Sequence, residues 1–143
     1  MPVRGAEAVR KSLSSIRKAG VEATFNELEV IAVGVLARSD ALAPELTGEL
    51  RLSGEVVTTK RGTGREVAVV YGRSGPSKDY ALVQHEGFFN PGPITRTKPG
   101  AGRKYLSRAY AEQVPKLLRE MGLGVKASIA KAAKRRALSR RGR

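Results

Sequence analysis

Between Val9 and Val35 the apolar residues recur every three or four positions, and beyond Pro44 they alternate, so this chain has to change from helix to strand. Val9, Leu13 and Ile16 sit at i, i+4 and i+7, and after Gly20 the series Val21, Phe25, Leu28, Ala32 and Val35 keeps one stripe. Gly20 is expected to break or bend this run, since glycine weakens a helix interior. Glu22, Glu27 and Glu29 precede Arg38, the order that the helix dipole favours. Ala43-Pro44 is the natural stop, because the residue before a proline is pushed out of the helical region.

The β-branched run Val56-Val57-Thr58-Thr59 and the alternating Val67, Val69 and Tyr71 predict two strands, connected by Lys60 to Arg65 through Gly62-Thr63-Gly64. A third strand is expected at Tyr80 to Gln84, after the polar stretch from Gly72 to Lys78. Short turns between such strands imply an antiparallel sheet. From His85 to Gly102 the chain is rich in Pro and Gly and has no periodicity, a loop long enough to be functional or partner-bound. Helix returns after Arg103, with Leu106, Tyr110, Gln113, Leu117 and Met121 on one face and Pro115 expected to kink or divide it. A last helical stretch is expected from Val125 to about Leu138. The fold class is therefore α+β: an N-terminal helical segment and C-terminal helices packed on a small antiparallel β-sheet. Its 143 residues suit one domain, read as 1–121, followed by a basic helical arm at 122–143.

Charge is segregated along this plan. Of the formal net charge of +14, the stretch from Ala101 to Arg143 carries +11, thirteen Lys and Arg against two Glu. The arm itself holds Lys126, Lys131, Lys134, Arg135, Arg136, Arg140, Arg141 and Arg143 without one acidic residue. Hydrophobic residues make up 41%, enough for a core, so disorder throughout is excluded. The longest aliphatic run, Val30 to Ala37, is far shorter than the roughly 20 residues that span a bilayer, and the N-terminus lacks the apolar stretch of a signal peptide. A soluble protein with no membrane partner is expected.

Catalytic patterns are weak. The absence of Cys removes thiolate chemistry, disulfides and Cys-based zinc sites, and His85 is the single histidine on which any Ser-His-Asp triad would have to be built. His85-Glu86 lacks the second His of a zincin helix, and neither Gly72 to Lys78 nor Gly62-Thr63-Gly64 completes a phosphate-cradling or dinucleotide fingerprint. If Tyr80 to Gln84 were a strand, His85 and Glu86 would point to opposite faces, a poor arrangement for a shared site. No enzyme, metal or cofactor is predicted.

Three stretches carry a resemblance. Ala43-Pro44-Glu45-Leu46-Thr47-Gly48-Glu49-Leu50-Arg51-Leu52-Ser53 resembles a Pro-x-x-Thr-Gly-x-Leu-Arg-x-Ser signature, and Asp79-Tyr80-Ala81-Leu82-Val83-Gln84-His85-Glu86-Gly87 a Tyr-Ala-x-x-x-(His)-Glu-x-Gly segment. Gly102-Arg103-Lys104-Tyr105-Leu106-Ser107-Arg108-Ala109 is similar to a Gly-x-(Lys)-(Phe/Tyr)-Leu-x-x-Ala helix start. The signatures they resemble are those, in the same order, of the tail-component or neck family of long-tailed bacteriophages (siphophages). Phe88 departs from the family, which often has Thr there, and the loop between 86 and 102 is richer in Pro and Gly.

This resemblance implies a non-enzymatic virion protein of head-tail joining or tail completion, forming a homo-oligomeric ring. Its neighbours would be head-completion (stopper), tail-terminator or tail-tube proteins, and it would sit in the virion after assembly in the host cytoplasm. Physical roles suit the shared residues: Pro44 ends the helix, Thr47 supplies a local hydrogen bond, and Gly48 allows a turn that a side chain would hinder. Glu86 next to Gly87 is placed either to accept N–H groups of the following loop or to pair across subunits with Arg96 or Lys98. The basic arm reads as a solvated face, a non-specific contact to packaged DNA, or a dock for an acidic neighbour; it has no aromatic, Asn or Gln residue for reading bases. The rival class is a free nucleic-acid-binding protein of ribosomal or nucleoid type. Confinement of charge to one terminal segment argues against it, since dedicated binders spread basic residues over a folded face.

Overall fold

A computed structural model describes residues 5–44, 48–62, 64–79, 81–86 and 101–141, with side chains described as far as 138. The elements run α1 (Ala6–Leu42), α2 (Glu49–Leu52), β1 (Glu55–Arg61), β2 (Gly64–Val70), a single 3₁₀ turn at Pro76–Lys78, α3 (Ala81–Glu86) and α4 (Tyr105–Arg141). This is an N-terminal long helix and a C-terminal helix packed with a small antiparallel two-stranded sheet, with basic residues near the C-terminus. The chain forms two compact units: residues to Leu28 with those from Arg119 make the first, and Glu29–Leu118 the second.

Helix α1 ends at Leu42, where Ala43-Pro44 was expected to stop it. Gly20, however, does not break it. Helix formers flank this glycine, and its missing side chain lets Ile129 approach, since a Cβ there would lie 3.3 Å from the Ile129 side chain. Close packing offsets the roughly 1 kcal/mol that glycine costs in a helix. Pro115 likewise does not divide α4, which runs through it for 37 residues. Proline removes one hydrogen bond to the carbonyl of Ala111, and both residues are exposed, so water can satisfy that carbonyl. The stretch expected from Val125 to Leu138 is thus the continuation of α4.

Two of the three expected strands form. Glu55 pairs with Val70 and Arg61 with Gly64, so the strands extend to within two residues of each other, and Gly62 takes φ +56° at the turn. The third is instead the helix α3. Ala, Leu, Gln and Glu prefer helix, and a helix brings Ala81 and His85 within one turn, where Tyr105 meets both. In a strand the two would share a face but lie about 13 Å apart.

Core burial falls in the second unit. Ile31, Ala32, Val35 and Leu42 of α1 are buried with Ala43, Leu50, Ala81, Tyr105 and Ala109. Gly54 and Gly72 bring the backbone close: a Cβ at Gly54 would lie 2.7 Å from Leu36 Cδ1, and one at Gly72 2.7 Å from the Ala81 Cβ and 2.8 Å from the Ser77 carbonyl oxygen. Gly72 also takes φ +63°, the left-handed region. In the first unit Gly20 is the one described residue that is fully buried.

Gly72→Ala should therefore destabilise the protein by about 2–4 kcal/mol through strain and overpacking, whereas Pro115→Ala should stabilise it by up to about 3 kcal/mol. Urea unfolding midpoints measure both; a neutral Gly72→Ala would contradict the packing described.

Candidate functional site

The resemblance residues meet at a corner of the second unit. Pro44 is buried at the end of α1, and Gly48, with φ +81°, turns the chain into α2, which buries Leu50. Arg51 is half-buried in the same short helix. Ser53 closes it: its hydroxyl donates to the Leu50 carbonyl at 2.7 Å and accepts the Gly72 N–H at 3.1 Å, so it joins α2 to the chain leaving β2. Thr47, Tyr80 and Gly87 lie outside the described residues, as does the Pro/Gly loop over 87–100 with Arg96 and Lys98. The expected uses of Glu86 toward that loop fall there too.

Tyr71, one residue past β2, points back to α1. Its hydroxyl donates to Asp40 Oδ1 at 2.5 Å and meets the Ser39 hydroxyl, while Ser39 Oγ also donates to the Leu36 carbonyl at 2.9 Å. The ring stands edge-on to Tyr105, with centroids 5.1 Å apart. Burial, reinforced by the hydrogen bond to Asp40, pushes the Tyr71 phenol far above its ordinary range. Burial and the nearby Asp40 charge push Tyr105 up to about 12. Arg38 Nε donates to Glu112 Oε2 at 2.6 Å, linking α1 to α4 and holding the Glu112 carboxyl below its usual range. Leu106, next to Tyr105, is half-buried.

His85 and Glu86 lie on a helix, so the opposite-faces geometry of a strand does not apply: His85 Nδ1 is 3.0 Å from Glu86 Oε1. Nε2 is 3.2 Å from the hydroxyl of Ser107 in the first turn of α4, which makes a Ser–His–carboxylate row. The imidazole packs edge-on to Tyr105 at 5.2 Å, and the His85 carbonyl accepts the Lys104 N–H at 2.5 Å. Lys104 reaches this position with φ +53°. Side chain, ring edge and backbone of His85 thus all attach α3 to the start of α4. Ser107 was not singled out from sequence, because its partner lies 22 positions away.

The basic residues occupy the first unit. Lys126, Lys131, Lys134 and Arg135 are exposed on α4, while Arg136 is half-buried. A helix turns about 100° per residue, so the consecutive Lys134, Arg135 and Arg136 do not share a face. Arg136 joins Arg10, Lys11, Ser14, Ser15 and Lys18 of α1 around an open groove of about 530 Å³. The α1 residues were missed because Met1 to Leu42 holds six basic and five acidic residues, +1 in total. Arg143 and the side chains of Arg140 and Arg141 lie outside the described residues. Counted by unit, the first holds fourteen Lys and Arg against four Glu, +10, and the second thirteen against nine acidic residues, +4.

Among the described residues no cluster of three or more His, Asp or Glu could hold a metal ion, and no helix is long and apolar enough to cross a membrane. No family model, curated protein or solved structure matches the chain.

The tyrosine pair predicts an alkaline limit. Tyr105 has a folded pKa of about 12, above its unfolded value near 10, so its contribution is full below pH 10 and is lost as pH rises toward 12. Urea unfolding at pH 8.5 and 11.5 should show a loss on the order of 2–3 kcal/mol that Tyr105→Phe reduces; an equal loss in that variant would contradict it.

Proposed function

We propose that this chain is a non-enzymatic structural protein of a long-tailed bacteriophage virion, a component of the head-tail joining neck or tail-completion ring. One observation carries the reading. Residues of three sequence stretches that resemble the neck family, among them Pro44, Leu50, Ser53, Ala81, His85 and Tyr105, belong to one unit, where they cap, pack and hydrogen-bond around the same corner. Motifs that build a common corner describe a framework, which suits a part selected for assembly rather than for turnover. The Ser107–His85–Glu86 row is read as part of that framework, since His85 is engaged on every side in holding α3 to α4.

In a neck, the cationic first unit would face packaged DNA or an acidic neighbour, and copies in a closed ring would multiply that attraction. The second reading is a free nucleic-acid-binding protein. It gains from the fact that the cations come from both α1 and α4 rather than from the last segment alone.

Native mass spectrometry of the purified chain, with peptide detection in purified particles, tests the assignment. A ring of defined stoichiometry present in virions is expected; a monomer absent from them overturns it. Replacing Lys126, Lys131, Lys134 and Arg135 by Gln separates the two readings, with ring formation retained by a neck protein. A fluorophosphonate reagent should leave Ser107 unlabelled, and stoichiometric labelling would make the row catalytic.

A further inference from the structure

The groove in the first unit has the chemistry of a phosphate site. Arg10, Lys11, Ser14 and Lys18 are exposed along one side of α1, and Arg136 comes from α4 to meet them. Ser15 has its proton committed to the Ser12 carbonyl at 3.0 Å, which leaves Ser14 as the hydroxyl donor. Lys11 is paired with Glu7 at 3.0 Å in a highly exposed ion pair, a weak one that an incoming phosphate can replace. Among the described residues no carboxylate is paired with Arg10 or Lys18.

Spacing favours a polymer over a single anion. From Arg10 to Lys18 the helix advances about 12 Å at 1.5 Å per residue, and duplex DNA presents a phosphate about every 3.4 Å of axis on each strand. A duplex whose axis runs along α1 would thus bring more than one phosphate past these cations. The lining has no aromatic side chain to stack single-stranded bases and no Asn or Gln to read base edges, so the groove suits the backbone of a duplex.

We propose that the α1–α4 groove binds the phosphodiester backbone of duplex DNA without sequence preference, with Arg10 and Lys18 as the phosphate contacts and Arg136 on the facing wall. The neck reading contributes only the identity of the polyanion. The site extends the DNA contact to the N-terminal helix, outside the basic C-terminal segment.

The test is fluorescence anisotropy of a labelled mixed-sequence DNA duplex with the full chain, from 50 to 200 mM salt. Each lost phosphate contact lowers the slope of log K against log salt by about 0.9. Arg10→Ala with Lys18→Ala should lower it by about 2, so that the affinity ratio of native chain to variant shrinks about ten-fold over this range. Arg10→Lys with Lys18→Arg should keep the native slope, and Lys60→Ala on the exposed end of β1 should not change it. Three outcomes overturn the proposal: no binding at 50 mM salt, a slope unaltered by the double alanine variant, or preference for an RNA duplex or polyglutamate over DNA. Particle content decides the neck reading separately, so failure of either leaves the other standing.

Discussion

The hydroxyl of Tyr71 is half-buried beside Ser39 and Asp40 of α1, and the second unit is organised around that placement. A phenol taken out of water needs partners, because an unmade buried hydrogen bond costs about 1–3 kcal/mol. Asp40 accepts its proton, and the ring edge then supports Tyr105 at the start of α4. Tyr105 in turn reaches the Ala81 carbonyl and the His85 ring. Four segments far apart in sequence are held by two tyrosines. With so few aromatic residues in the chain, neither has an evident substitute.

Around this centre the close contacts are made by absence of side chains. Gly54 lets Leu36 and Tyr71 approach the hairpin, and Gly72 lets α3 approach the exit of β2. The first unit follows a different rule. Its helices bury only Gly20 fully among the described residues, and their surfaces carry most of the net charge. One unit is a packed framework and the other is a cationic helix pair.

Much of the framework was legible in order but not in detail. Pro44 as a helix stop, the left-handed Gly48 and the hairpin at Gly62 follow from backbone preferences that act within a few residues, so local sequence suffices for them. Gly20 and Pro115 misled because their penalties are local while the compensation, Ile129 packing and solvent at the Ala111 carbonyl, depends on what lies nearby in space. Tyr80 to Gln84 looked like a strand because a short apolar run has no decisive period, and the choice fell to Tyr105, which meets two residues spaced four apart.

The sequence by itself determined the helix–hairpin–helix order, the α+β class, the lack of thiol chemistry and the cationic bias of the last segment, since each is a matter of composition or of short-range periodicity. Only the tertiary structure decided which cations share a surface. A helix distributes consecutive residues around its axis, so the run at 134–136 is divided, and Arg136 finds its neighbours in Arg10 and Lys18, more than a hundred positions earlier. The same holds for Ser107, His85 and Glu86. Proximity created by folding is not a property of any window of sequence, and both groups exist through it alone.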